Sequence, residues 1–172
     1  MTLVELMIVV VIIGLLAAVA TFMFSKQTRK ARAGEVDAVF AEMALKQEAY
    51  RARNGEYFTH DDFFPSLVPS DVAQPSSGTT AIEASLRLEL KPNLYCVYVT
   101  ANSLDWLEDA LVTGANTIEA EFDIGSGLSI EPPFDTDWYI NAAICDFDGN
   151  GVFSYYAQLS WTNQPLVSNP GE

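Results

Sequence analysis

The first 24 residues, MTLVELMIVVVIIGLLAAVATFMF, hold one charged side chain, Glu5. From Leu6 to Phe24 the run is apolar apart from Thr21. About 20 such residues are enough to cross a bilayer as a helix. Any fold for this chain must therefore place its opening segment in a greasy environment. An acidic side chain within a span costs roughly 2.5–3.5 kcal/mol on insertion scales, so Glu5 needs a partner. Two partners are open to it. Thr2 and Glu5 have the T-x-x-E spacing of a capping box, in which Glu reaches back to a free backbone N–H. The other partner is a cation from outside the helix. The nearest positive side chain after Glu5 is Lys26, far up the helix at about 1.5 Å per residue. That leaves an N-terminal ammonium, the chain's own or a neighbour's.

The segment lacks a positive n-region and is longer than a usual signal-peptide core, so it reads as retained. Lys26, Arg29, Lys30 and Arg32 follow it. The positive-inside rule alone would put that cluster, and everything after it, in the cytoplasm. A removed leader with its own Lys and Arg would reverse the orientation and make Met1 a processed end.

The helical pattern continues past the span. From Ser25 to Arg53 there is no proline, and the only glycine is Gly34. Val36, Val39, Phe40, Met43, Ala44, Gln47 and Tyr50 recur at spacings of three and four, one face of an amphipathic helix. Glu35, Asp37, Glu42, Lys46, Glu48 and Arg51 fill the other positions. Asn54-Gly55 supplies a stop. One helix over about residues 2–53 would be roughly 80 Å long.

Pro65, Pro69 and Pro75 mark residues 55–83 as loop, with a turn at Gln74–Gly78 and a short helical turn around Asp61–Leu67. Beyond it the pattern is mainly strand. Ala84–Leu90 and Thr117–Ile124 alternate, Leu94–Thr100 is rich in β-formers, and Trp138–Cys145 and Val152–Trp161 flank a Gly-rich turn as a hairpin. Ser103–Val112 reads as a short helix capped by Ser103. The alternation predicts an antiparallel sheet with one packed and one wet face, the packed face covered by the amphipathic half of the helix. The fold class is α+β.

Charge divides along the chain. Residues 1–53 hold seven Lys/Arg and five Asp/Glu, whereas residues 54–172 hold two and eighteen. The second part, at −16, argues against a direct nucleic-acid partner, which needs a basic footprint. It suits a solvated, self-repelling surface.

Several residues are candidates for chemistry. Asp146-Phe147-Asp148-Gly149-Asn150-Gly151 matches the first half of a calcium loop, with Val152 placed to give a carbonyl and Ser154 a water-mediated contact. The twelfth place is Ala157 rather than a bidentate Glu, so Asp135 or Asp137 would have to complete the site. The other reading is a plain hairpin turn, which Asp-Gly and Asn-Gly favour. Cys96 and Cys145 form either one disulfide, expected in an oxidising exterior, or two buried thiols. His60 is the only histidine. With no second histidine and no nucleophile–base set, zinc and triad chemistry have little support, and no catalytic residue is assigned. Trp138, Tyr139, Tyr155, Tyr156 and Trp161 read as sheet packing rather than a stacking platform.

The stretch TLVELMIVVVIIGLLAAVA at 2–20 closely resembles the mature N-terminus of type IV pilins, through Thr2, Leu3, Glu5, Leu6, Gly14 and the Ala17-Ala18 pair. The resemblance implies a hydrophobic helix half at 1–25 serving as membrane anchor and filament core. It implies an amphipathic half at 26–53 packed on a head spanning 54–172, with a connecting loop at 54–83 and the sheet region at 84–172. It implies a prepilin peptidase that removes a leader and methylates Met1. It also implies residence in the inner membrane with the head outside the cytoplasm, then passage through an assembly platform and secretin into a homopolymeric extracellular filament for adhesion, twitching motility or DNA uptake. Glu5 would pair with the N-terminal amine of an adjacent subunit. No cofactor is implied, although some members bind calcium in their heads. Many pilins carry proline at position 22, where this chain has Phe22. A minor pilin, a pseudopilin of type II secretion and a tethered binding domain are the alternatives.

Overall fold

A computed structural model of the protein describes residues 2–59, 70–75, 81–90, 93–102, 133, 136–162 and 165–168. Its longest element is the helix α1, Leu3–Asn54, of 52 residues. Thr2 caps the start, and Gly55 ends it in the left-handed region (φ 86°), donating its N–H to the Arg51 carbonyl at 2.8 Å. Glycine suits that position because a Cβ disfavours positive φ. No proline interrupts the backbone, and the helix runs unbroken through Gly14 and Phe22. These bounds agree with the helix expected over about 2–53.

The two halves of α1 meet different surroundings. The large apolar side chains from Leu3 to Val19, and then Met23 and Phe24, are 50–76% exposed. The second half buries Val36, Val39, Phe40, Met43 and Gln47 against the head. The helix is long and apolar enough to cross a membrane, and among the described residues nothing covers its apolar window.

Two short strands, β1 (Gln74–Pro75) and β2 (Asn93–Leu94), pair antiparallel. Between them lies helix α2, Ala81–Leu86. This corrects the strand expected over Ala84–Leu90. Ile82 and Leu86 are both fully buried and four residues apart, which puts them on one face of a helical turn packed into the core against α1. The leucines at even positions fit a strand and a helix about equally over so short a run, and the burial of Ile82 and Glu83 side by side is a helical pattern. Arg87, at φ 54°, ends the turn and releases the chain into extended backbone. The Glu89 N–H then donates to the Glu42 carboxylate, fastening this segment to α1.

The main sheet is a four-stranded antiparallel meander of β3 (Cys96–Ala101), β4 (Ile140–Cys145), β5 (Ser154–Leu159) and β6 (Leu166–Ser168), in that spatial order. Strand β6 was not foreseen. The expected strands at 94–100, 138–145 and 152–161 appear as 96–101, 140–145 and 154–159. The regions 61–67, 103–112 and 117–124 lie outside the described residues.

The expectation of one wet face is overturned. Every residue of β3 and β4 is buried. Cys96, Tyr98, Ala143, Cys145 and Tyr156 pack with Val36, Val39, Phe40 and Met43 of α1. Val97, Val99, Ala101, Ile140, Ala142, Ile144, Tyr155, Ala157 and Leu159 form a second core on the opposite face, with Trp138, Phe153, Trp161 and Leu166 packed against it. The strand sequences CVYVTA and INAAIC are largely apolar at both parities, the mark of a strand covered on both sides.

Cys96 and Cys145 stand directly opposite in the β3–β4 register, Cα atoms 4.4 Å apart, and form a disulfide. Closing a loop of about 50 residues contributes roughly 4 kcal/mol in the chain-entropy account.

Candidate functional site

Two features stand out: the bare apolar half of α1 with its single carboxylate, and the collar where that half meets the head. At the N-terminus the capping box is formed. Glu5 Oε2 accepts from the Thr2 backbone N–H at 2.6 Å and from the Thr2 hydroxyl at 3.2 Å. The Glu5 N–H donates to Thr2 Oγ1 at 3.3 Å. The chain alone thus gives the carboxylate a local partner. Met1 lies outside the described residues.

At the collar, residues 29–51 of α1 carry a series of polar pins into the head. Glu35, which the sequence reading put among the charged positions of the polar side, is buried. Its Oε1 accepts from the backbone N–H groups of Tyr95 (3.0 Å) and Cys96 (3.4 Å) and from the Tyr98 hydroxyl (2.9 Å). A buried carboxylate persists only with such donors. Burial first, and the Glu35 carboxylate second, hold the Tyr98 hydroxyl well above the ordinary tyrosine range. Its helical position offered a signal, since Glu35 lies one turn before Val39 and next to Val36 on the packed stripe.

Gln47 is fully buried. Its side chain brackets Phe58, accepting from the backbone N–H and donating to the carbonyl, both at 2.9 Å. It also donates to Thr100 Oγ1 at 2.6 Å. Thr100 donates to Asn141 Oδ1 (2.8 Å), and Asn141 Nδ2 donates to Gln158 Oε1 (3.1 Å). These residues are cross-strand partners, so one chain of hydrogen bonds runs from α1 across β3, β4 and β5. A slip of one residue in any pairing would break it.

The turn between β4 and β5 is fastened to the lower end of the collar. Arg32 donates to the Phe147 carbonyl at 2.6 Å and lies over the Tyr95 ring. Arg29 pairs with Asp148 at 3.0 Å. At the upper end Arg51 pairs with Asp137 at 3.0 Å and covers the Tyr57 ring.

Within that turn the calcium candidates are engaged with one another. Asp146 accepts from the N–H groups of Gly149 (2.8 Å) and Gly151 (3.1 Å). Asp148 accepts from the backbone and side chain of Asn150, and Asn150 Oδ1 accepts from the Val152 N–H at 2.6 Å. Gly149 and Gly151 take positive φ, as such a turn requires. Asp137 is committed to Arg51 rather than completing a site, and Asp135 and His60 lie outside the described residues. Among the described residues no three acidic, His or Cys side chains converge on a point fit for a metal. In this conformation the donor set closes a self-capped turn.

The aromatic residues pack as expected. Trp138 and Trp161 meet edge to face at 5.5 Å, and Tyr139 meets Tyr57 at 4.8 Å.

In comparisons with protein-family models, curated proteins and solved structures, the chain finds no match.

Proposed function

We propose that this chain is the structural subunit of a type IV pilus, held in the inner membrane by the apolar half of α1 and then polymerised through it into a surface filament. One observation carries the reading. A 52-residue helix leaves its whole first half bare, while its second half is fastened to a head with two packed faces. So long an apolar rod needs either lipid or other copies of itself. The sequence resemblance at 2–20 and the α+β architecture support both environments in succession. The role is structural rather than catalytic, and the partner is the chain itself.

Glu5 gives the reading its physical logic. A carboxylate in an apolar filament core is costly unless a cation meets it. The local capping box satisfies it in the isolated chain, and the amine of an incoming subunit would satisfy it in the filament. Glu5→Ala is expected to accumulate in the membrane at normal level while sheared filament yield falls by an order of magnitude or more. Normal filament yield from that variant would overturn the assignment. A pseudopilin or minor pilin would instead show the chain at trace level in the sheared fraction.

A further inference from the structure

Below the β4–β5 turn, where α1 leaves the head, lies a groove of about 470 Å³, bordered by Phe24, Thr28, Arg29, Arg32, Asp71 and Asp148. That volume is in the range of small-molecule sites. Its lining carries both signs of charge. Two guanidinium groups come from the helix side, and two carboxylates come from the head side. Asp71 sits against the turn, its carboxylate close to the Gly149 backbone. Phe24, the last residue of the bare apolar run, closes the lower edge.

The depth of the groove follows from helix geometry. Leu3 to Phe24 spans about 33 Å, close to the roughly 30 Å of bilayer hydrocarbon. Arg29 and Arg32 then lie about 7 and 12 Å beyond Phe24, which is headgroup depth. Lys26 and Lys30 are exposed at the same level.

We infer that this groove is a binding site for a zwitterionic phospholipid headgroup that carries a phosphate and a primary ammonium. The phosphate would meet Arg29 and Arg32, since guanidinium forks match phosphate oxygens. The ammonium would meet Asp71 and Asp148. A purely anionic headgroup would place negative charge against those two carboxylates. A choline headgroup has the same net charge but no N–H to donate. The Arg29–Asp148 pair is about one-third exposed on each side, so it can open to admit the two ends of the ligand. The inference rests on the membrane-spanning reading of α1.

The test uses the full chain in nanodiscs of phosphatidylcholine mixed equally with phosphatidylethanolamine or with phosphatidylglycerol, with retained lipid counted by native mass spectrometry. Phosphatidylethanolamine is expected to be retained about fivefold over phosphatidylcholine, less than a charge-assisted hydrogen bond is worth when buried, because the groove is open to water. Asp71→Asn, on an exposed loop, should bring that ratio to about one without changing insertion. Arg29→Gln should lower retention of both lipids. Equal retention by the unaltered chain, or a preference for phosphatidylglycerol, would overturn the site while leaving the span intact. Failure of the chain to enter the nanodisc would overturn the span and the site together.

Discussion

Glu35 shows most plainly how a single side chain holds this molecule together. It is the carboxylate that three donors of the β3 end share. Glu35→Ala would leave those buried donors without it, and each unsatisfied buried group costs about 1–3 kcal/mol. The expected loss is about 3 kcal/mol in urea unfolding of the full chain in detergent, and a loss under 1 kcal/mol would contradict the role. The buried tyrosines make a pH prediction. Burial, then the Glu48 carboxylate, raises the Tyr139 hydroxyl from 10.0 to about 12. Burial first also raises Tyr98, Tyr57 and Tyr156. Below pH 10 both folded and unfolded chains keep these protons, and the stabilisation is whole. Between pH 10 and 12 the unfolded chain releases protons that the folded one retains, so stability falls as pH rises. Circular dichroism and tyrosinate absorbance should show a late ionisation step coincident with unfolding in that window. Complete ionisation near pH 10 with the fold intact would contradict it.

At the scale of elements, the β4–β5 turn is where one sequence pattern leaves two uses open. Its D-x-D-x-N-G spacing serves calcium loops and self-capped turns alike, because both place oxygen atoms toward the middle of a tight loop. The carboxylates here are spent on backbone N–H groups and on Arg29. Chelation with EDTA should leave the melting temperature unchanged, while Asp146→Ala should cost about 2 kcal/mol through two lost acceptors. A calcium-dependent rise in melting temperature would contradict that reading. Helix α1 was legible because apolar period, cap and stop agree over fifty residues. The hairpin was legible because two β-rich runs flank a glycine turn. The helix α2 was not, since six residues with leucine at alternate places fit two periods. The second core was missed for a related reason. Alternation in Ala84–Leu90 suggested a wet face, whereas the strands that form the sheet are apolar on both sides. The polar pins were partly legible: Gln47 fell on the packed stripe, but a glutamate at 35 looks like surface until its donors, sixty residues away, are in place.

The whole molecule is a two-part object. A head with two packed faces and a disulfide holds the upper half of a helix, and among the described residues the lower half is exposed. The charge division runs along the same line, with Lys26, Arg29, Lys30 and Arg32 at the collar and a net −16 in the sequence of residues 54–172. The absence of proline at 22 leaves the helix continuous from cap to stop, so the bare half behaves as one rod. We propose that this rod is a polymerisation element. Electron microscopy of sheared surface filaments, with mass analysis of their subunits, tests it most directly. Long filaments composed mainly of this chain, beginning with N-methylated Met1, are expected. Finding the chain only in the membrane fraction, with surface filaments made of something else, would contradict it.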